Sequence, residues 1–174
     1  MSTGRLDFAS LSLQDALDLA ILVEEEAQDR YLEFAEQMET HHTPEAAGFF
    51  KFMAGNEAKH GEALRARRKT LFGTAAARVR REMLWDVEAP EYDQARAFMS
   101  PRAAMEVALA SETKAHGYFV DALPHIRDAA VRQLFEELRD EEVFHQDLVR
   151  KELAKLPPGP EPHAEDYADE PVAH

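Results

Sequence analysis

Apolar residues recur along the chain at the three- and four-residue spacing of an α-helix. Leu13, Leu17, Ala20, Ile21, Ala27, Tyr31 and Phe34 form one such stripe, which predicts a helix with one face turned to a core. Ser12 and Asp15 resemble a capping pair, so the helix is expected to start at Ser12 and to end near Thr40. Thr43-Pro44-Glu45 reads as a cap, a first-turn proline and a first-turn acid, and opens a second helix that runs to about Leu71, before Gly73. Ser100-Pro101 repeats that start signal for a third helix reaching about Leu123, and Pro124 leads into a fourth that runs to about Leu156.

The short connections make each pair of helices an antiparallel hairpin. Between the hairpins lie the 28 residues from Phe72 to Met99, with Trp85, Pro90 and a short helix expected at about Ala75 to Leu84. A connection of that length lets the second and third helices run parallel, and the pattern as a whole predicts an all-α four-helix bundle with one long crossover. Leu156 to His174 holds five prolines and five acids with no lysine or arginine. It has little to bury, so residues 157–174 are expected to form a disordered or loosely attached tail. That leaves residues 1–11 as an N-terminal extension and 12–156 as the bundle.

Composition narrows the function. At 174 residues and 19.7 kDa, with 45% hydrophobic residues, the chain suits one domain. Its 20 Lys and Arg stand against 34 Asp and Glu, a net charge of −14, which argues against nucleic acid or an anionic membrane surface as partner. There is no cysteine, so disulfides, zinc-thiolate sites and cysteine-ligated iron centres are excluded. Any bound metal must be held by oxygen and nitrogen. No basic-then-apolar leader opens the chain and Leu19 to Val23 is too short to span a bilayer, so a cytoplasmic location is expected.

The chemistry lies in an internal repeat. Glu57-Ala-Lys-His60 and Glu142-Val-Phe-His145 are two copies of Glu-x-x-His, and residues three apart on a helix share a face. With 22 glutamates and eight histidines this spacing arises by chance, and Glu39 to His42 is a third copy that we read as accidental. What sets the other two apart is their context. The segment Ala16 to Glu24 matches Ala104 to Glu112 in character at nearly every position, and the same register carries Ala27 onto Ala115 and Tyr31 onto Phe119. Phe50, Met53, Glu57, His60 and Ala63 likewise correspond to Phe135, Leu138, Glu142, His145 and Leu148.

Each hairpin is therefore a half-site with one glutamate, Glu24 or Glu112, on its first helix and a Glu-x-x-His on its second. Met53 and Leu138, one turn before each motif, turn that face to the core, where unpaired carboxylates would be costly. Two divalent cations would balance the four acids. A glutamate from each of two helices and a Glu-x-x-His from each of two others is the ligand set of ferritin-like di-iron and di-manganese bundles, which makes Glu24, Glu57, His60, Glu112, Glu142 and His145 the candidate metal ligands.

Neighbouring groups read more plainly. Glu25 and Glu26 point about 100° and about 200° away from Glu24 on an ideal helix and are expected in solvent, as are Glu106, Glu137 and Glu141. Tyr31 and Tyr118 are expected as packed aromatics, although either could donate a hydrogen bond near the ligands. His116 is expected to play no ligand role, and His163 and His174 are expected to be exposed.

Through Glu24-Glu-Glu-Ala-Gln-Asp-Arg-Tyr31, the Glu57-to-His60 motif, Glu112 and the Glu142-to-His145 motif, the chain resembles the rubrerythrin group of the ferritin-like superfamily over residues 12–156. The resemblance implies two iron ions per chain, with Glu57 and Glu142 bridging, Glu24 and Glu112 terminal, and His60 and His145 one to each metal. It implies a di-iron oxidoreductase that reduces hydrogen peroxide or dioxygen, or oxidises Fe(II), in defence against oxidants. The alternative it carries is a ferritin- or bacterioferritin-like iron-binding or storage protein with ferroxidase activity. Manganese suits the same oxygen-rich ligands.

Two departures shape these expectations. Typical rubrerythrins carry a rubredoxin domain, which a chain without cysteine does not supply, so a separate electron donor or Fe(II) itself is expected. They also carry a further glutamate three residues after the Glu112 position, where this chain has Ala115. The expected site is symmetric, in a small assembly such as a homodimer.

Overall fold

A computed structural model of the chain describes residues 6–40, 43–84 and 100–157. Four long helices dominate it: α1 (Leu13–Thr40), α2 (Pro44–Phe72), α3 (Pro101–Ala122) and α4 (Ala129–Leu153). No described helix is long and apolar enough to cross a membrane. Trp85, Pro90, His42, His163, His174 and the acidic tail from residue 158 onward lie outside the described residues.

The helix starts follow from their caps. The Asp15 amide donates to Ser12 Oγ at 3.1 Å, and that of Ala103 to Ser100 Oγ at 3.1 Å. Both satisfy an amide the helix itself leaves unpaired. Thr43 differs from expectation: with φ −114° and ψ 71° its side chain makes no cap for α2, and its hydroxyl instead donates to Met38 O at 2.9 Å, tying the α1–α2 turn to the end of α1. Pro124 lies in a single 3-10 turn, Leu123–His125, and α4 begins only at Ala129. Ile126 takes an extended backbone there and is buried. Asp128 then restarts the helix by accepting from the amides of Ala130 and Val131 at 2.8 and 3.0 Å.

Two apolar clusters show how the helices run. One joins Ala16, Leu17 and Val23 of α1 to Phe119 of α3 and Leu134, Phe135 and Leu138 of α4. The other joins Tyr31, Phe34 and Met38 of α1 to Phe50 and Met53 of α2, Ala104, Met105 and Ala108 of α3 and Val149 of α4. Early α2 thus shares an end of the bundle with early α3, and those two helices run parallel, as the long crossover requires. Phe34, Phe50, Phe119 and Phe135 are fully buried, each contributing about 1.5–3 kcal/mol of apolar burial. With its two hairpins and single long connection the chain is an all-α ferritin-like bundle.

The crossover begins differently from the helix expected at Ala75 to Leu84. Among the described residues of that stretch, only Arg81–Leu84 forms a helical turn, and it is 3-10. The carbonyls that a helix would use internally are taken from outside. Arg68, paired with buried Asp18 at 2.7 and 3.2 Å, also donates to Gly73 O and Ala75 O at 3.2 and 2.7 Å, and Gln14 donates to Ala76 O at 3.0 Å. Gly73, at φ +58°, makes the sharp exit from α2 in a conformation that favours glycine.

Candidate metal centre

The polar residues of interest occupy a layer between the two apolar clusters. Glu24 comes from α1, Glu57 and His60 from α2, Glu112 from α3, and Glu142 and His145 from α4. Met53 and Leu138 are buried one turn before the two motifs, and this holds Glu57 and Glu142 on the inward face. The four glutamates and His145 are only 1–5% exposed, whereas His60 is half-buried.

All six predicted side chains meet. The rings of His60 and His145 stack with centroids 5.3 Å apart and planes 13° from parallel. Nδ1 of His145 lies 3.2 Å from Glu57 Oε1 and 3.4 Å from Glu112 Oε2, and Nδ1 of His60 lies 3.9 Å from Glu24 Oε2. The carboxyls pair as Glu24 with Glu57 and Glu112 with Glu142. Three sets of donor atoms lie mutually within 4.8 Å: Glu57, His60 and His145; Glu112, Glu142 and His145; and Glu24, His60 and Glu141.

Burial dominates the electrostatics. It raises the Glu24 pKa, against a hydrogen bond with Glu57 that favours the charged form. Burial also pushes Glu112 upward, but its interactions with His145, Glu142 and Tyr31 outweigh this and lower its pKa. His145 is pulled down by burial, then carried above the ordinary imidazole value by Glu112 and the charges of Glu24 and Glu141. His60 moves the other way, lowered by burial and by His145.

These atoms fit bound metal. Glu24 Oε2, Glu112 Oε2, His60 Nδ1 and both ring nitrogens of His145 are buried without hydrogen-bond partners, an arrangement that costs free energy unless something coordinates them. Carboxylate oxygens together with two imidazoles are a donor set suited to iron or manganese.

Two residues exceed their sequence reading. Tyr31 is more than a packed aromatic: it stacks near Phe50 and its hydroxyl donates to Glu112 Oε1. Glu141, expected in solvent, is half-buried with Oε2 3.7 Å from His60 Nδ1, and burial followed by the charge of Glu24 raises its pKa to about 7. Its only sequence signal is adjacency to Glu142. Glu25 and Glu26 are half-buried rather than free in solvent, and pair with Arg65 at 3.0 Å and Arg30 at 3.7 Å. Glu106 and Glu137 are exposed, the latter 3.1 Å from Arg67. Tyr118 packs on Phe8, and His116 joins none of the three donor sets among the described residues. Glu39 of the third motif is exposed and paired with Lys51.

A small cleft between α1 and α3, lined by Arg30, Tyr31, Phe34, Ala108 and Ser111, reaches Glu112.

Fold and site together define the class: a ferritin-like bundle with a carboxylate–histidine cluster that could hold metal. The rubrerythrin family model matches residues 15–166, and the chain belongs to the rubrerythrin family, whose ferritin-like domains are di-iron proteins. A crystal structure of an uncharacterized conserved protein from Magnetospirillum magnetotacticum is similar, with 25% identity and a TM-score of 0.69 over 86% of this chain and 98% of that one. Comparison with curated proteins gives no significant match.

Proposed function

We propose that the protein is a di-iron oxidoreductase that reduces hydrogen peroxide or dioxygen, or oxidises Fe(II), in protection against oxidants. The observation that carries this reading is the meeting of six side chains from four helices in a buried layer, where Glu24 Oε2, Glu112 Oε2, His60 Nδ1 and both ring nitrogens of His145 have no hydrogen-bond partner. Glu57 and Glu142 would bridge the two ions, Glu24 and Glu112 would bind one each, and His60 and His145 would divide between them. Bound there, a pair of iron ions supplies two electrons and an electrostatic clamp for reduced oxygen.

The chain's own groups prepare the site. The Tyr31 hydroxyl fixes the Glu112 carboxylate, and the cleft beside it suits a small oxidant. Manganese is compatible with the same donors. The reading includes a separate electron donor, since the chain has no cysteine, and a small assembly, a homodimer, in the cytoplasm.

Metal content of protein from iron-supplemented cells, followed by stopped-flow oxidation of the reduced site by peroxide and by dioxygen, tests the proposal. Two irons per chain with faster oxidation by peroxide are expected. Protein without iron, or undiminished reactivity after Glu112→Ala together with Glu142→Ala, would reject it. Fe(II) uptake well beyond two per chain, in a large hollow assembly by size-exclusion chromatography, would favour iron storage instead.

A further inference from the structure

Glu141 precedes a proposed ligand by one residue and is not one of the six, yet its carboxylate turns to the centre. It reaches from α4 to within 3.7 Å of His60 Nδ1 on α2, the same nitrogen that lies 3.9 Å from Glu24 Oε2 on α1. One donor atom from each of Glu24, His60 and Glu141 lies within 4.8 Å of the other two. Glu24 is 4% exposed, and the oxygen it aims at this point is buried without a hydrogen-bond partner.

The set sits at the rim of the centre. The side chain of Glu141 is 37% exposed and that of His60 27%, whereas Glu112, Glu142 and His145 are all buried. On α3, the residue one turn after Glu112 is Ala115, fully buried and without an oxygen to offer. The carboxylate that lies 3.7 Å from His60 Nδ1 at this rim comes instead from α4.

We propose that Glu141 is a seventh metal ligand, completing with Glu24 and His60 an outer position whose ion exchanges with solvent while the ion beside His145 stays. The inference rests on the di-metal reading above. Glu24, His60 and Glu141 reach the outer ion from three helices beside the bridging carboxylates, and its exposed rim admits water and gives metal a way in and out. Oxygen and nitrogen donors of this kind suit Mn(II) as well as Fe(II), so Mn(II) serves as the probe.

The full chain, stripped of metal by chelation, is titrated with Mn(II) while free ion is followed by electron paramagnetic resonance. Two Mn(II) per chain are expected, one weaker than the other. Glu141→Gln should weaken the outer site at least about tenfold, the lower end of what supporting groups around metals contribute, and leave the inner site unchanged. Glu141→Asp keeps the charge but withdraws the carboxylate by about one C–C bond, roughly 1.5 Å, and should also lose the outer ion. Glu137→Gln, one turn earlier on the same helix, should bind as the unsubstituted chain does. Unchanged binding by Glu141→Gln would overturn the proposal. Full recovery in Glu141→Asp would also overturn it, by showing that charge at a distance suffices. Failure of the unsubstituted chain to bind Mn(II) would reject the di-metal reading itself, and this inference with it.

Discussion

The half-site of α1 and α2 aligns residue for residue with that of α3 and α4, but the two are not physically equivalent. On the first side His60 is half-buried and its pKa is lowered. On the second, His145 is 1% exposed and its pKa is raised by the carboxylates around it. Glu24 and Glu112 diverge in the same way, one raised and the other lowered. Part of the difference traces to one atom: Tyr31 on α1 gives its hydroxyl to Glu112, whereas the residue matching it on α3, Phe119, has none and packs edge-on against Phe135 at 5.5 Å. A repeat that looks symmetric in sequence thus yields a closed inner half and an open outer half.

The largest expected contrast is between the two histidines. His145→Ala should weaken binding of the inner metal by about 100-fold or more, because losses from outer-shell partners alone already reach about 10- to 100-fold. His60→Ala should cost less, about tenfold, since solvent can replace an imidazole at an exposed rim. Mn(II) titration of both variants measures this, and equal losses would remove the distinction between the halves.

Tyr31→Phe makes the first half more like the second. In metal-free protein it should lower unfolding free energy by about 2 kcal/mol, the scale of a hydrogen bond to a charged group. Phe119 shows that a phenyl ring can pack in the matching position, so the lost hydroxyl is what the denaturation midpoint reports. A change near zero would mean that the hydroxyl does not set Glu112 apart from Glu24.

The smallest effect concerns pH. Glu141 titrates near 7 in the folded chain and near the ordinary carboxylate value when unfolded. Between those values the folded state holds a proton that the unfolded state has released, so this group lowers stability as pH rises from about 4.5 to about 7. With its partial exposure the contribution is on the order of 1 kcal/mol after solvent screening. Glu141→Gln in metal-free protein should be more stable than the unsubstituted chain at pH 7.5 by that amount and not at pH 4. Parallel stability curves across this range would show that Glu141 does not feel the centre.

Much of this was legible before folding. Helical spacing, Ser12, Ser100-Pro101 and the long middle segment pointed to the bundle, because periodicity and caps are local properties of the chain. The repeat nominated six side chains that the folded protein brings together. Pro124 misled as a start for α4: Ile126 is drawn into the apolar cluster by contacts distant in sequence, and Asp128 is the working cap. The helix expected at Ala75 to Leu84 failed for a similar reason, since Arg68 and Gln14 compete for its carbonyls.

By itself the sequence determined the helices, their pairing and which acids and imidazoles could share a buried face, since these depend on residue type and a fixed rise and turn. Only the tertiary structure decided which half is open, which glutamate receives the Tyr31 hydroxyl and that Glu141 reaches His60. Those outcomes depend on distances between helices, and a few ångströms between elements far apart in the chain separate a buried partner from a solvated one.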